Sequence, residues 1–140
     1  MPGGVTGMVL LLLIPAALRA QSTALDSAAE SARHAWQAHD VAALVLHSPR
    51  VLVQLPGADP SAALGRAQAA ALLRDYLETG QEVETALVAA REVEPGRGYV
   101  ELERRFRVAG TQEIRRQSLL LSYRAEDSTW RLVELRIIGP

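Results

Sequence analysis

The sequence predicts an α+β domain with its helices first and its sheet second. Apolar residues recur at helical spacing as far as Gly80, and from Glu82 the pattern changes to period two. Three short turns then divide the second half into four strands: Pro95-Gly96-Arg97-Gly98, Ala109-Gly110-Thr111-Gln112 and Glu126-Asp127-Ser128-Thr129. Turns this short make hairpins, so the strands form an antiparallel meander. A parallel crossover needs a dozen or more connecting residues and is excluded.

A first helix is expected from about Thr23 to His39, because Leu25, Ala29, Ala32, Trp36 and His39 make one narrow stripe. Asp40 is placed to cap a short second helix running to Leu46, which Pro49 ends. Arg50 to Leu55 alternates as a strand, and Pro56-Gly57-Ala58-Asp59-Pro60 reads as a loop. Gly65 opens a third helix, Arg66 to Leu77, with Ala69, Leu72, Leu73 and Tyr76 on one face and Gly80 as its C-terminal cap.

Met1 to Ala20 reads as a cleavable signal peptide. Val9 to Leu18 is an apolar run broken only by Pro15, and the small Ala20 is followed by polar Gln21 and Ser22. The run is about half of what a bilayer-spanning helix requires, so no stable membrane insertion is expected after cleavage. The expectation is a single domain over 21–140, periplasmic or secreted. Cysteine is absent, which excludes disulfides, thiolate metal sites, a thiol nucleophile and a lipid anchor on Cys. The 15 basic residues, all arginine, are interleaved with 16 acidic ones, so there is no nucleic-acid footprint.

Pairing the hairpins about their turns places candidate site residues. Centring the first turn between Gly96 and Arg97 sets Val100 opposite Val93 and Arg104 opposite Ala89. The second turn sets Arg104 opposite Gln117, and the third sets Leu121 opposite Leu132, Leu119 opposite Glu134 and Gln117 opposite Arg136. One face then carries Leu87, Val100, Leu102, Phe106, Leu119, Leu121, Tyr123, Trp130 and Leu132, interrupted by Arg104, Gln117, Glu134 and Arg136. Were this face concave, two guanidiniums, an amide and a carboxylate would form a polar floor suited to a small amphipathic or anionic ligand. The alternative is that Glu134 simply offsets the buried arginines. Tyr76 is a candidate hydrogen-bond donor above this floor, or a core residue with its hydroxyl at a rim. The opposite face, with Val88, Leu120, Val133, Leu135 and Ile137 among charges, is either a homodimer interface or the face beneath the helices.

The three histidines do not have metal-site spacing: His34 and His39 are five apart and His47 falls on a loop. No nucleophile motif, phosphate loop or paired-carboxylate spacing appears, and no cofactor is expected.

Three segments carry a family resemblance: His39-Asp40-Val41-Ala42-Ala43-Leu44, Gly65-Arg66-Ala67-Gln68-Ala69-Ala70-Ala71-Leu72-Leu73, and Trp130-Arg131-Leu132-Val133-Glu134-Leu135-Arg136-Ile137. They resemble the nuclear-transport-factor-2-like superfamily, also called cystatin-like or SnoaL-like, and within it an exported bacterial branch. The resemblance implies three helices packed on a strongly curved, mainly antiparallel sheet, a cone-shaped α+β barrel that often dimerises through its outer face. It also implies a fold that serves isomerase-like or dehydratase-like enzymes, ligand binders and partner domains alike. The activity expected of this chain is non-catalytic, that of a small-ligand-binding or interaction domain. The alternatives are an enzyme with Glu134 as base in the cone, and a dimeric structural module whose cone Trp36, Phe106 and Trp130 fill.

Overall fold

The computed structural model describes residues 16–140 and the isolated Gly3, with side chains from Thr23 onward. Of the expected signal peptide, Gly3 and residues 16–20 are described, the latter as the start of α1, and the rest lies outside these residues. The elements are α1 (Ala16–Gln37), α2 (Val41–Leu44), β1 (Arg50–Gln54), β2 (Leu64–Gly65), α3 (Arg66–Leu77), β3 (Gly80–Glu94), β4 (Arg97–Val108), β5 (Ile114–Glu126) and β6 (Thr129–Ile138). Helices precede a curved six-stranded sheet of order β2-β1-β6-β5-β4-β3, antiparallel throughout except where β1 lies parallel to β6.

The helical stripe packs as its spacing predicts. Leu25, Ala29, Ala32 and Trp36 are all buried. At the C-terminus of α1, Asp40 N–H donates to Ala35 O at 2.8 Å and His39 N–H to Trp36 O at 2.9 Å. This double closure puts the residue between them in the left-handed region, and His39 occupies it at φ +56°. Asp40 then caps α2, its Oδ1 accepting from Ala43 N–H at 3.1 Å. Gly80 does not cap α3. That helix closes at Glu78, and Gly80 begins β3, where an added Cβ would lie 2.5 Å from Phe106 Cδ2. The two-residue strand β2 pairs with β1 and was not foreseen.

The β4–β5 register is the one read from the sequence, with Arg104 opposite Gln117, Leu102 opposite Leu119 and Val100 opposite Leu121. The other two hairpins differ, for reasons that can be located. The β3–β4 turn is Pro95-Gly96, and three irregularities along β3 shift the ladder further. Arg104 therefore faces Thr85, and Phe106 faces Glu82. The β5–β6 turn is Asp127-Ser128, both left-handed, and a bulge follows at Ser122/Tyr123. Since side chains alternate with period two, one extra residue inverts everything beyond it. Trp130 and Leu132 point inward before the bulge, Leu135 and Ile137 after it. Leu135 and Ile137 are thus core residues, not members of an outer apolar face.

Strand β3 is one edge of the sheet, and α1 covers part of it. Gln37 Oε1 accepts from Thr85 N–H at 2.6 Å and Arg33 Nη1 donates to Thr85 O at 3.4 Å. Side chains of the helix thereby occupy backbone groups that would otherwise invite another strand.

Candidate functional site

Two places in the fold carry chemistry. The first is a buried polar chain inside the cone. Arg104 is 1% exposed and lies over Phe106, 4.0 Å from the ring centroid, with the Trp36 ring at 5.2 Å. Its Nη2 forms an ion pair with Glu82 Oε1, and its Nη1 donates to Gln117 Oε1 at 3.2 Å. Tyr76 Oη donates to the same Gln117 oxygen at 2.9 Å. Glu82 is in turn held by His39 Nε2 at 3.1 Å and by Thr85 Oγ1 at 3.3 Å. The guanidinium is charge-balanced by a carboxylate whose side chain is 3% exposed, as burial of an ion demands.

Of the five expected site residues, this chain contains Arg104, Gln117 and Tyr76. It does not contain Glu134 or Arg136, because the β6 bulge turns both to the outer face. Glu134 sits there opposite Leu52 and Ser122, and Arg136 Nε donates to Gln54 Oε1 at 3.0 Å. The base once expected in the cone is therefore outside it. The carboxylate that does enter is Glu82, which sequence parity could not find through three irregularities. The signal available was charge balance: an arginine on an inward face needs an acid, and Glu82 heads the adjacent strand. Trp36, Phe106 and Trp130 are all buried, as the filled-cone alternative requires.

The second place is a cleft of about 450 Å³ between α1, α2 and the β5–β6 hairpin. Its walls include Ala28, Ala32, Leu44, Tyr123, Trp130 and Leu132, and its polar groups are Ser27, Ser31, His47, Ser48, Ser128 and Thr129. His47, which the sequence puts on a loop, borders this cleft. Burial pushes the Tyr123 phenol well above its ordinary value, since the phenolate would lose its hydration. A group whose folded pKa is raised stabilises the fold fully below its unfolded value. That stability is lost as pH climbs above about 10, at roughly 1.4 kcal/mol per unit. Replacing Tyr123 with Phe should flatten the fall. Urea titrations at pH 9 and pH 11 test this: equal losses in both proteins would contradict it.

No known family model matches the sequence, and no curated protein does. Solved structures do match, and they agree on the fold. A ketosteroid isomerase-like protein from Erwinia carotovora atroseptica superposes with a TM-score of 0.68 at 14% identity, covering 86% of this chain and 98% of that one. A DUF4783 family protein from Bacteroides uniformis gives 0.65 at 10% identity, covering 79% and 95%. An LEH-like epoxide hydrolase from M. tuberculosis gives 0.61 at 14% identity, covering 84% of each chain. The architecture is the nuclear-transport-factor-2-like cone expected from the sequence. Identities this low establish the fold and leave the activity to the site.

Proposed function

We propose that this chain is exported and acts as a non-catalytic domain binding a small amphipathic ligand in the cleft between α1, α2 and the β5–β6 hairpin. The observation that carries the reading is the cleft's size and lining. About 450 Å³ lies within the range of ligand pockets, and apolar walls with scattered hydroxyls suit a molecule with a greasy body and a polar end. Export rests on the signal-peptide pattern of Met1 to Ala20. The enzyme reading is weaker, because the inward carboxylate Glu82 is occupied by Arg104. Ala28 lines the cleft without being fully buried, so Ala28→Phe should fill the space at little cost to folding. Native mass spectrometry of protein from an exporting host should find a retained small molecule, reduced about tenfold or more in the variant. An empty cleft in both would sink the reading.

A homodimer through the outer sheet face is the second reading. It is favoured by Leu52 on β1, Leu120 on β5 and Ile138 on β6 itself, which lie around Arg136, the first and last of them exposed. The same mass spectra would give a doubled mass if it holds.

A further inference from the structure

We propose that the cavity beside the β4–β5 turn is a second binding site, which takes an oxyanion group, a carboxylate or a phosphate, on the guanidinium of Arg107. The cavity measures about 380 Å³ and is lined by Gln81, Arg107, Val108 and the turn at 109–112. It shares no residue with the cleft between α1, α2 and the β5–β6 hairpin, and the proposal does not rest on that reading.

The way the turn is tied creates the cavity. Val108 N–H donates to Glu113 O at 2.9 Å and Thr111 N–H to Val108 O at 3.0 Å, with Gly110 between them left-handed at φ +76°. Ala109 N–H donates to Thr79 O at 3.0 Å, which draws the turn back over the start of β3. The Thr111 hydroxyl is used within the turn, donating to Val108 O and accepting from Glu113 N–H. A site held by the backbone in this way is formed before its ligand arrives.

Arg107 is the one ionisable side chain of the lining among the described residues. Strand β4 carries four arginines, and Arg97, Arg104 and Arg105 are paired with Glu94, Glu82 and Glu84. Arg107 has no carboxylate partner among the described residues: its neighbours across the ladder are Gln81 and Ile114, both neutral. Its Nε is buried and makes no hydrogen bond among those residues. The base of the guanidinium has therefore given up water without gaining a counter-charge. An oxyanion at the remaining N–H groups supplies that charge, in the two-pronged geometry that arginine offers carboxylates and phosphates. The side-chain amides of Gln81 and Gln112 border the same space, uncharged and able to donate beside it.

The test is a titration of the protein with inorganic phosphate and, separately, with succinate, at constant ionic strength, following the backbone amide resonances of residues 108–112. A saturable shift is expected with at least one probe; phosphate alone assigns the site to phosphates, succinate alone to carboxylates. Arg107→Gln should weaken binding about tenfold or more, the loss expected of a charge-assisted pair. Gln81→Glu sets a carboxylate of the same shape opposite the guanidinium and should weaken it similarly. Arg124→Gln removes an exposed arginine near the far end of β5 and should change nothing. No saturable shift with either probe, a shift that survives Arg107→Gln or Gln81→Glu, or an equal loss in Arg124→Gln overturns the proposal. Neither probe has the apolar body that the cleft calls for, so failure here leaves the cleft reading untouched.

Discussion

Replacing Glu82 with alanine should lower the unfolding free energy by about 3–5 kcal/mol, the largest single effect expected in this fold. The cause is the residue left behind. Arg104 would keep its charge at 1% exposure, with Gln117 and two aromatic faces as its remaining partners. Such a loss is a large share of a domain's usual margin and corresponds to a fall in Tm of about 10–20 °C. Removing both charges is a different experiment. Glu82→Leu with Arg104→Met deletes the penalty along with the attraction, and should restore most of the stability. Urea unfolding of the three variants separates the cases. If Glu82→Ala costs under 1 kcal/mol, Glu82 is not what balances the buried Arg104 charge.

Trp36→Ala is the second large effect, at about 3–5 kcal/mol. The indole is among the largest fully buried side chains and stacks near Arg104, so truncation opens a cavity and removes a cation–π partner together. Its Nε1 has no hydrogen-bond partner among the described residues, so the N–H contributes nothing that phenylalanine would lose. Trp36→Phe should therefore retain well over half of the stability that Trp36→Ala forfeits. Equal losses in the two would mean that the N–H, not the ring, holds the site together.

How far the sequence could be read depended on where ladders stay regular. The β4–β5 register holds across its whole length, and the Arg104–Gln117 pair follows from it directly. Tyr76 was placed by helical spacing alone, since α3 runs over the residues expected of it. Glu134 and Arg136 were misplaced by one bulge, which leaves no mark in composition. The spacing of Leu132 and Leu135 by three, between pairs spaced by two, is its only trace. Thr85 was hidden because β3 breaks step twice between the turn and Arg104, and Glu82 because it breaks step a third time beyond that pair. His39 was legible as a helix end, where its imidazole would sit against the dipole, but not as a partner of Glu82. That contact spans 43 residues and depends on the misread strand.

The strand order has a consequence for when this protein can fold. Strand β6, the last of the six strands among the described residues, sits inside the sheet and bridges β1 and the meander. Until residues 129–138 are available, β1 and β2 have no sheet to join, and Val51 and Val53 have no Leu135 beside them. The helices and the β3–β5 hairpins can form early, yet the core closes only when the last strand arrives. A fold wired in this order keeps its core open until the central strand β6 has been made.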